Sequence, residues 1–392
     1  LAKLEPARMK KIRLIIFDLG TVKIVVSTYQ ITSSMPWTLN VEFPEPFRSF
    51  LAFTAVFNLN LFGTVSLDCF DLPHNVSPYL AYVIISSLIP MVLIGLVWLS
   101  YALRSRSSHQ RDATFHHGPM YWALFISFLV APSVMQTQLR ALDCLELESS
   151  GRWYLRVDTS IECRLSDPGF ALLLGFNLPL IAIYQGIPLM YFVLLYRNRD
   201  RMNPTLYGRD FMELPAAEEH ELVYSKREKD PKLFDLKFLF SVYKCPDWAF
   251  EVGEMYRRIV ILGVLPCVPN PVVRSLLGSF LGFGSVVLYR ETCPFHLDRN
   301  NVLAIGAQYQ VFGTFVAALL VISGIFPYSD NALGISLVLL NIAIVPLIMY
   351  KAHTTLKQEA ETKRHVAKLH AQLLKDSAED EENYQNAWNG LK

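Results

Sequence analysis

The chain is short of charge. Only 18% of its 392 residues are Asp, Glu, Lys or Arg, below the roughly 25% usual in soluble domains. The two signs nearly cancel, at a net +1, so no global field points to a nucleic-acid partner. A P-loop, a Gly-Xaa-Ser-Xaa-Gly elbow and a Cys-His triad spacing are all missing. These gaps start enzyme readings low, and we expect no enzyme, no cofactor and no metal. A signal peptide is also absent. The chain opens on Leu1, and we read it as a portion of a longer protein.

Apolar residues are plentiful instead, at 52% with a mean hydropathy of +0.28. They fall in long continuous runs, as a bilayer requires. The clearest runs are 79–103, 120–135, 169–196, 259–265 with its flanks, 276–289, 302–326 and 333–350. A further run, 12–31, carries Asp18 and Lys23, which hydrocarbon tolerates only when they face protein or water. The expected fold is all-α: a polytopic bundle of about eight transmembrane helices. Phe47–Leu67 holds Arg48, Asn58 and Asn60, so an interfacial or re-entrant helix is expected there.

Charge sets the orientation. Lys10 to Arg13, Arg104 to Arg111, Arg197 to Lys244 and the tail after Lys351 are basic, and the positive-inside rule sends all four to the cytoplasm. Eight spans satisfy this only if Phe47–Leu67 does not cross. The division is then a cytoplasmic segment 1–11, a membrane domain 12–352 and a cytoplasmic helical tail 353–392. The membrane domain includes an outer loop 142–168 and a cytoplasmic loop 197–246. Arg152, Arg156 and Arg164 in the outer loop run against the rule. The tail carries a helical stripe of Leu356, Val366, Leu369 and Leu373, read as a solvated helix or a short coiled coil. Both termini are cytoplasmic and the plasma membrane is the expected location.

On this topology Cys69, Cys144, Cys163 and Cys267 lie outside, and four cysteines allow three pairings. Cys144–Cys163 closes a short loop and is favoured, with Cys69–Cys267 as a second bridge. Buried membrane cysteines also serve as small hydrophobes. Asn75-Val76-Ser77 is a glycosylation sequon on the same side. His116 and His117 lack further ligands at metal spacing and read as a solvated turn. The run from Ile15 to Val22 has the look of a phosphotransferase nucleophile motif, but Gly20 stands where a second aspartate is needed, and it reads better as a membrane helix.

The entry to the fifth run is richer in polar groups. Glu251, Glu254, Arg257 and Arg258 lie at its edge with Tyr243 and Trp248. Glu254 and Arg258 are four apart and can pair on a helix. Either the group is an interfacial belt, or it is a buried charge cluster coupling the cytoplasmic loop to helix movement. Lys23, Gln30, Gln185 and Gln308 are the polar side chains within the runs that would line a pathway; interhelical hydrogen bonding is their ordinary use.

Several stretches, in order, resemble one family. They are Val22-Lys23-Ile24 to Gln30-Ile31; Asn58 to Phe62 before Cys69; Tyr154-Leu155 to Cys163; Gly186 to Leu189; and Tyr243-Lys244, Trp248, Glu251 and Arg257-Arg258. Cys293-Pro294-Phe295 follows, where the family often has Arg-Pro-Tyr. The family comprises the multi-pass C-terminal regions of large algal, oomycete and other protist proteins with cysteine-rich, EGF-like or ephrin-receptor-like ectodomains. It is loosely similar to fungal TRP-like channels. The resemblance implies a cysteine-rich ectodomain and one more span upstream of Leu1. The expected partners are the lipid bilayer, that upstream ectodomain, and other membrane subunits or further copies of the chain. The leading expectation is a channel-like or sensor membrane domain, with any pore between helices. The alternative is a structural anchor or assembly subunit.

Overall fold

The structure is a computed structural model describing residues 18–58, 77–107, 118–147, 151–204, 216–327, 330–348, 350, 354 and 357. Proline at the first helical position opens four of its long helices: α3 (Pro78–Ser107), α4 (Pro119–Arg140), α5 (Pro168–Arg197) and α9 (Pro271–Thr292). Proline costs nothing there, because its missing N–H would have no intrahelical acceptor. Asp167 caps α5 by accepting from the Gly169 N–H at 2.9 Å, and Asn270 caps α9 by accepting from the Val272 and Val273 N–H groups. Before them come α1 (Leu19–Leu39) and α2 (Glu45–Thr54). Between α5 and α9 lie α6 (Ala216–Lys229), α7 (Lys237–Phe240) and α8 (Phe250–Ile259). The order closes with α10 (Asp298–Ile322) and α11 (Asn331–Ile342).

Leu19–Asn341 form one compact unit. Asp18 and the described residues from Ile342 onward belong to a second, in which the helical backbone continues to residue 348.

Six helices are long and apolar enough to cross a membrane: Pro78–Leu103, Pro119–Arg140, Pro168–Arg197, Pro271–Thr292, Asp298–Ile322 and Asn331–Ile348. These suggest a membrane-embedded protein. Two of the eight expected spans do not qualify, each for a physical reason. Helix α1 has its apolar residues interrupted by polar ones and lies inside the bundle, against α2, α4, α9 and α10. Lys23, Gln30, Thr32 and Ser34 along it are buried. The other, Phe250–Cys267, is helical throughout but is divided into α8, a π turn at Val260–Val264 and a 3-10 turn at Leu265–Cys267.

Phe47–Leu67 is shorter in structure than in expectation. Helix α2 ends at Thr54 and a 3-10 turn covers Ala55–Asn58; the rest lies outside the described residues. Ten residues span about 15 Å, too little to cross. Phe47 and Leu51 pack instead with Ile31, Met35 and Leu39 of α1.

The 142–168 loop is a β-hairpin. β1 (Cys144–Leu147) pairs antiparallel with β2 (Arg152–Leu155), Cys144 opposite Leu155. Gly151 takes a positive φ of 62° in the turn. Cys144 and Cys163 form the favoured disulfide. Cys267 is a free thiol on the 3-10 turn ending the broken helix; its candidate partner Cys69 lies outside the described residues. Cys69, Asn75, His116, His117 and the stripe residues of the tail lie outside the described residues.

The 197–246 loop is part of the core rather than a solvated connection. Leu233, Phe238, Leu239 and Phe240 are buried and pack with Leu124 and Phe128 of α4 and Tyr191 of α5.

Candidate functional site

Helix α8 puts polar side chains on opposite sides of one short segment. Glu251 and Arg258 face the interior of the bundle, and both are 0% exposed. Across from them α1 brings Lys23, whose Nζ lies 2.6 Å from Glu251 Oε2. The same ammonium donates to the Phe238 carbonyl of α7 at 2.6 Å and sits 4.1 Å from the centre of the Phe238 ring. Tyr243 donates its hydroxyl to Glu251 Oε2 at 2.9 Å. One carboxylate thus ties α1 to α8 and to the segment between α7 and α8.

Arg258 extends the network. Its Nη2 is 3.6 Å from Glu251 Oε1, and its Nη1 donates to Gln30 Oε1 at 3.4 Å. Its guanidinium rests 4.5 Å from the Phe128 ring centre. Gln30 donates onward to the carbonyls of Leu129 and Phe57, at 2.8 and 3.2 Å. Glu254 has a different partner from the one spacing favoured. It accepts two hydrogen bonds from Arg257, at 2.9 and 2.6 Å, and one from the Tyr289 hydroxyl of α9 at 2.7 Å. The i,i+3 partner prevails because Arg258 turns inward to Glu251. The cluster is buried, not an exposed belt.

Its three cations, Lys23, Arg257 and Arg258, face two carboxylates, Glu251 and Glu254. Buried charges of this kind cost several kcal/mol each to desolvate, and every one here has a partner. A cavity of about 20 Å³ adjoins the cluster, lined by Lys23, Glu251, Glu254, Tyr289 and Gln308 among others. That is room for one water-sized molecule.

No protein-family model, no curated protein and no solved structure matches the chain. The reading of the site rests on its own geometry.

Of the four candidate pathway residues, the structure gathers three. Lys23 and Gln308 line the cavity and Gln30 joins the network through Arg258. Gln185 is half-buried on α5 and does not line the cavity. A second polar seam continues along α1: Asn58 donates to Ser34, and Ser34 to Gln136 of α4, each at 3.3 Å. Gln310, Asn341 and Thr314 form a separate interhelical group between α10 and α11.

Sequence reasoning missed Arg227. It is 0% exposed on α6, donates to the Tyr243 carbonyl at 2.9 Å and lies 5.2 Å from the Phe240 ring centre. Its place in a run of charges, Lys226 to Lys229, hid it, because such a run reads as a solvated face. Among the described residues no group of three His, Cys, Asp or Glu side chains is placed to hold a metal ion.

Proposed function

We propose that this chain is the membrane domain of a larger surface protein, with channel-like or sensor activity. In this reading eight spans cross the bilayer. Six present apolar faces to lipid. Helix α1 and the broken helix Phe250–Leu265 run inside them, where polar side chains find protein partners. The basic segments put both termini in the cytoplasm, and the plasma membrane is the expected site.

The observation that carries the reading is the Lys23–Glu251–Arg258 network. It joins an interior helix to the 197–246 segment through charges shut away from solvent. A π turn follows it directly, and π turns recur at functional positions in helices. Movement of the 197–246 segment would thereby be felt at α1.

The test is whole-cell current on expressing the full-length protein, with and without membrane stretch. Current whose gating shifts in Arg257→Gln supports the proposal. Surface expression without current under either condition overturns it. The close packing, with a cavity near 20 Å³ beside the charges, favours a second reading: a structural anchor or assembly subunit. An anchor changes only its yield on the same substitution, and purifies in a larger complex or as a homo-oligomer.

A further inference from the structure

The hairpin end of the molecule holds a second group of charges that the network above does not use. Arg140 is the last residue of α4, Arg156 follows β2, and Arg274 stands in the first turn of α9. Two of them share one ring. The guanidinium carbons of Arg156 and Arg140 lie 3.9 and 4.5 Å from the centre of Trp37, near the end of α1. Asp143 is the carboxylate among them, 2.5 Å from Arg156. Arg274, 3% exposed, gives its hydrogen bonds to the Val268 and Thr38 carbonyls. Carbonyls satisfy donors but do not neutralise a full charge.

Among the described residues three guanidinium groups therefore meet one carboxylate. The excess is concentrated at Arg140, which has no hydrogen bond or ion pair among the described residues. Its Nε, the Nε of Arg156 and the Nε1 of Trp37 are buried donors without an acceptor, and the Asp143 Oδ2 and Thr38 Oγ1 oxygens beside them also lack a hydrogen-bond partner. Among the described residues the uncompensated charge of the corner is positive. Arg140 and Arg156 sit against one aromatic face, and guanidinium forks recognise planar or tetrahedral oxyanions.

We propose that this corner binds a phosphate group, held by Arg140 with Arg156 and Trp37. The head group of an anionic phospholipid and free phosphate present the same chemistry. The lipid source is favoured by position: the corner lies at the ends of α1, α4 and α9, beside Tyr79, which donates to the Thr137 carbonyl at 2.7 Å. Aromatic rings with a polar tip gather at head-group depth. A bound phosphate also gives a reason for Arg156 in a loop that the charge rule would keep free of arginine.

The lipid source rests on the membrane reading above; phosphate binding does not. The experiment uses the full-length chain. In nanodiscs of phosphatidylcholine with phosphatidylglycerol, native mass spectrometry counts retained lipid for the parent, Arg140→Gln and Arg140→Lys. Retention of phosphatidylglycerol that falls about tenfold in Arg140→Gln, the loss of one charge-assisted contact, and persists in Arg140→Lys supports a lipid ligand. In detergent, inorganic phosphate is titrated against chloride at matched ionic strength, read by thermal shift. A phosphate-specific shift lost in Arg140→Gln, with no retained lipid, supports free phosphate. Equal behaviour of parent and Arg140→Gln in both arms overturns the proposal. If Arg140→Gln fails to fold, Trp37→Phe keeps the ring and removes its N–H, and unchanged binding in that variant overturns the assigned ligand set.

Discussion

Lys23 and Glu251, 228 residues apart in sequence, meet at 2.6 Å with side chains 4% and 0% exposed. The contact fixes α1 against α8. It also makes the two residues unequal, because Glu251 has a second cation in Arg258 whereas Lys23 has no second carboxylate among the described residues.

Substitution should expose that inequality. Glu251→Gln leaves two buried cations without their carboxylate and is expected to cost about 3–5 kcal/mol. Lys23→Met leaves Glu251 with Arg258 and Tyr243 and costs less. Thermal unfolding in detergent, with the double variant completing the cycle, measures both. Equal losses from the two single variants would contradict the assignment.

Helix α9 presses on α10 through glycine. A Cβ built on Gly282 lies 3.0 Å from the Phe312 Cα, whereas one on Gly284 meets nothing within 4 Å. Gly282→Ala is expected to lose about 1–3 kcal/mol by overpacking. Gly284→Ala should be neutral or gain up to about 1 kcal/mol in helix propensity. Melting temperatures of the two purified variants decide it.

The Cys144–Cys163 bridge closes a loop of sequence separation 19. Chain entropy assigns such a loop about 3 kcal/mol. Replacing both cysteines by serine is expected to loosen the hairpin, seen as faster proteolysis around β1 and β2. Helix content by circular dichroism should stay near that of the parent. Collapse of the helical signal would instead place the hairpin at the base of the whole fold.

Cys267 reports orientation. The thiol is exposed and free, and burial of its surroundings together with Asp143 pushes its pKa above the usual thiol value, while Arg274 and Arg156 oppose. Less thiolate forms at neutral pH, so labelling speeds up as pH rises towards and beyond about 8.5. In a Cys69→Ser background, an impermeant maleimide on intact cells should label the chain, and adding Cys267→Ser should abolish the label. Labelling only after permeabilisation would reverse the proposed topology.

Much of the architecture was legible because hydrocarbon length leaves an unmistakable mark on sequence. Helices α3, α4, α5, α9 and α10 overlap the apolar runs, with ends shifted by up to five residues. The favoured disulfide was legible from spacing. Helix α1 was legible only in part: a helix enclosed by protein can carry polar residues such as Lys23, Gln30 and Ser34 among its apolar ones, so hydropathy understates it, and the helix runs on to Leu39. The site shows the same divide. Glu251 and Arg258 stood out on their own helix, but the partner of Arg258 was sought one turn away, at Glu254, rather than at Glu251. Lys23 could not be linked to them, since nothing local records a contact across 228 residues. The hairpin went unseen because four-residue strands give too little alternation to read.

The π turn after Arg258 has one consequence for winding. A turn closing on the fifth residue holds one residue more than an α turn. If Val260–Val264 tightened to α geometry, everything before it would rotate by about 100°. Arg257 and Arg258 differ by the same angle. Tightening would carry one arginine out of the interior and swing its neighbour towards the vacated bearing, so adjacent, identical side chains become two settings of a single dial. Spin-label distances from α8 to α1 would read which setting is occupied.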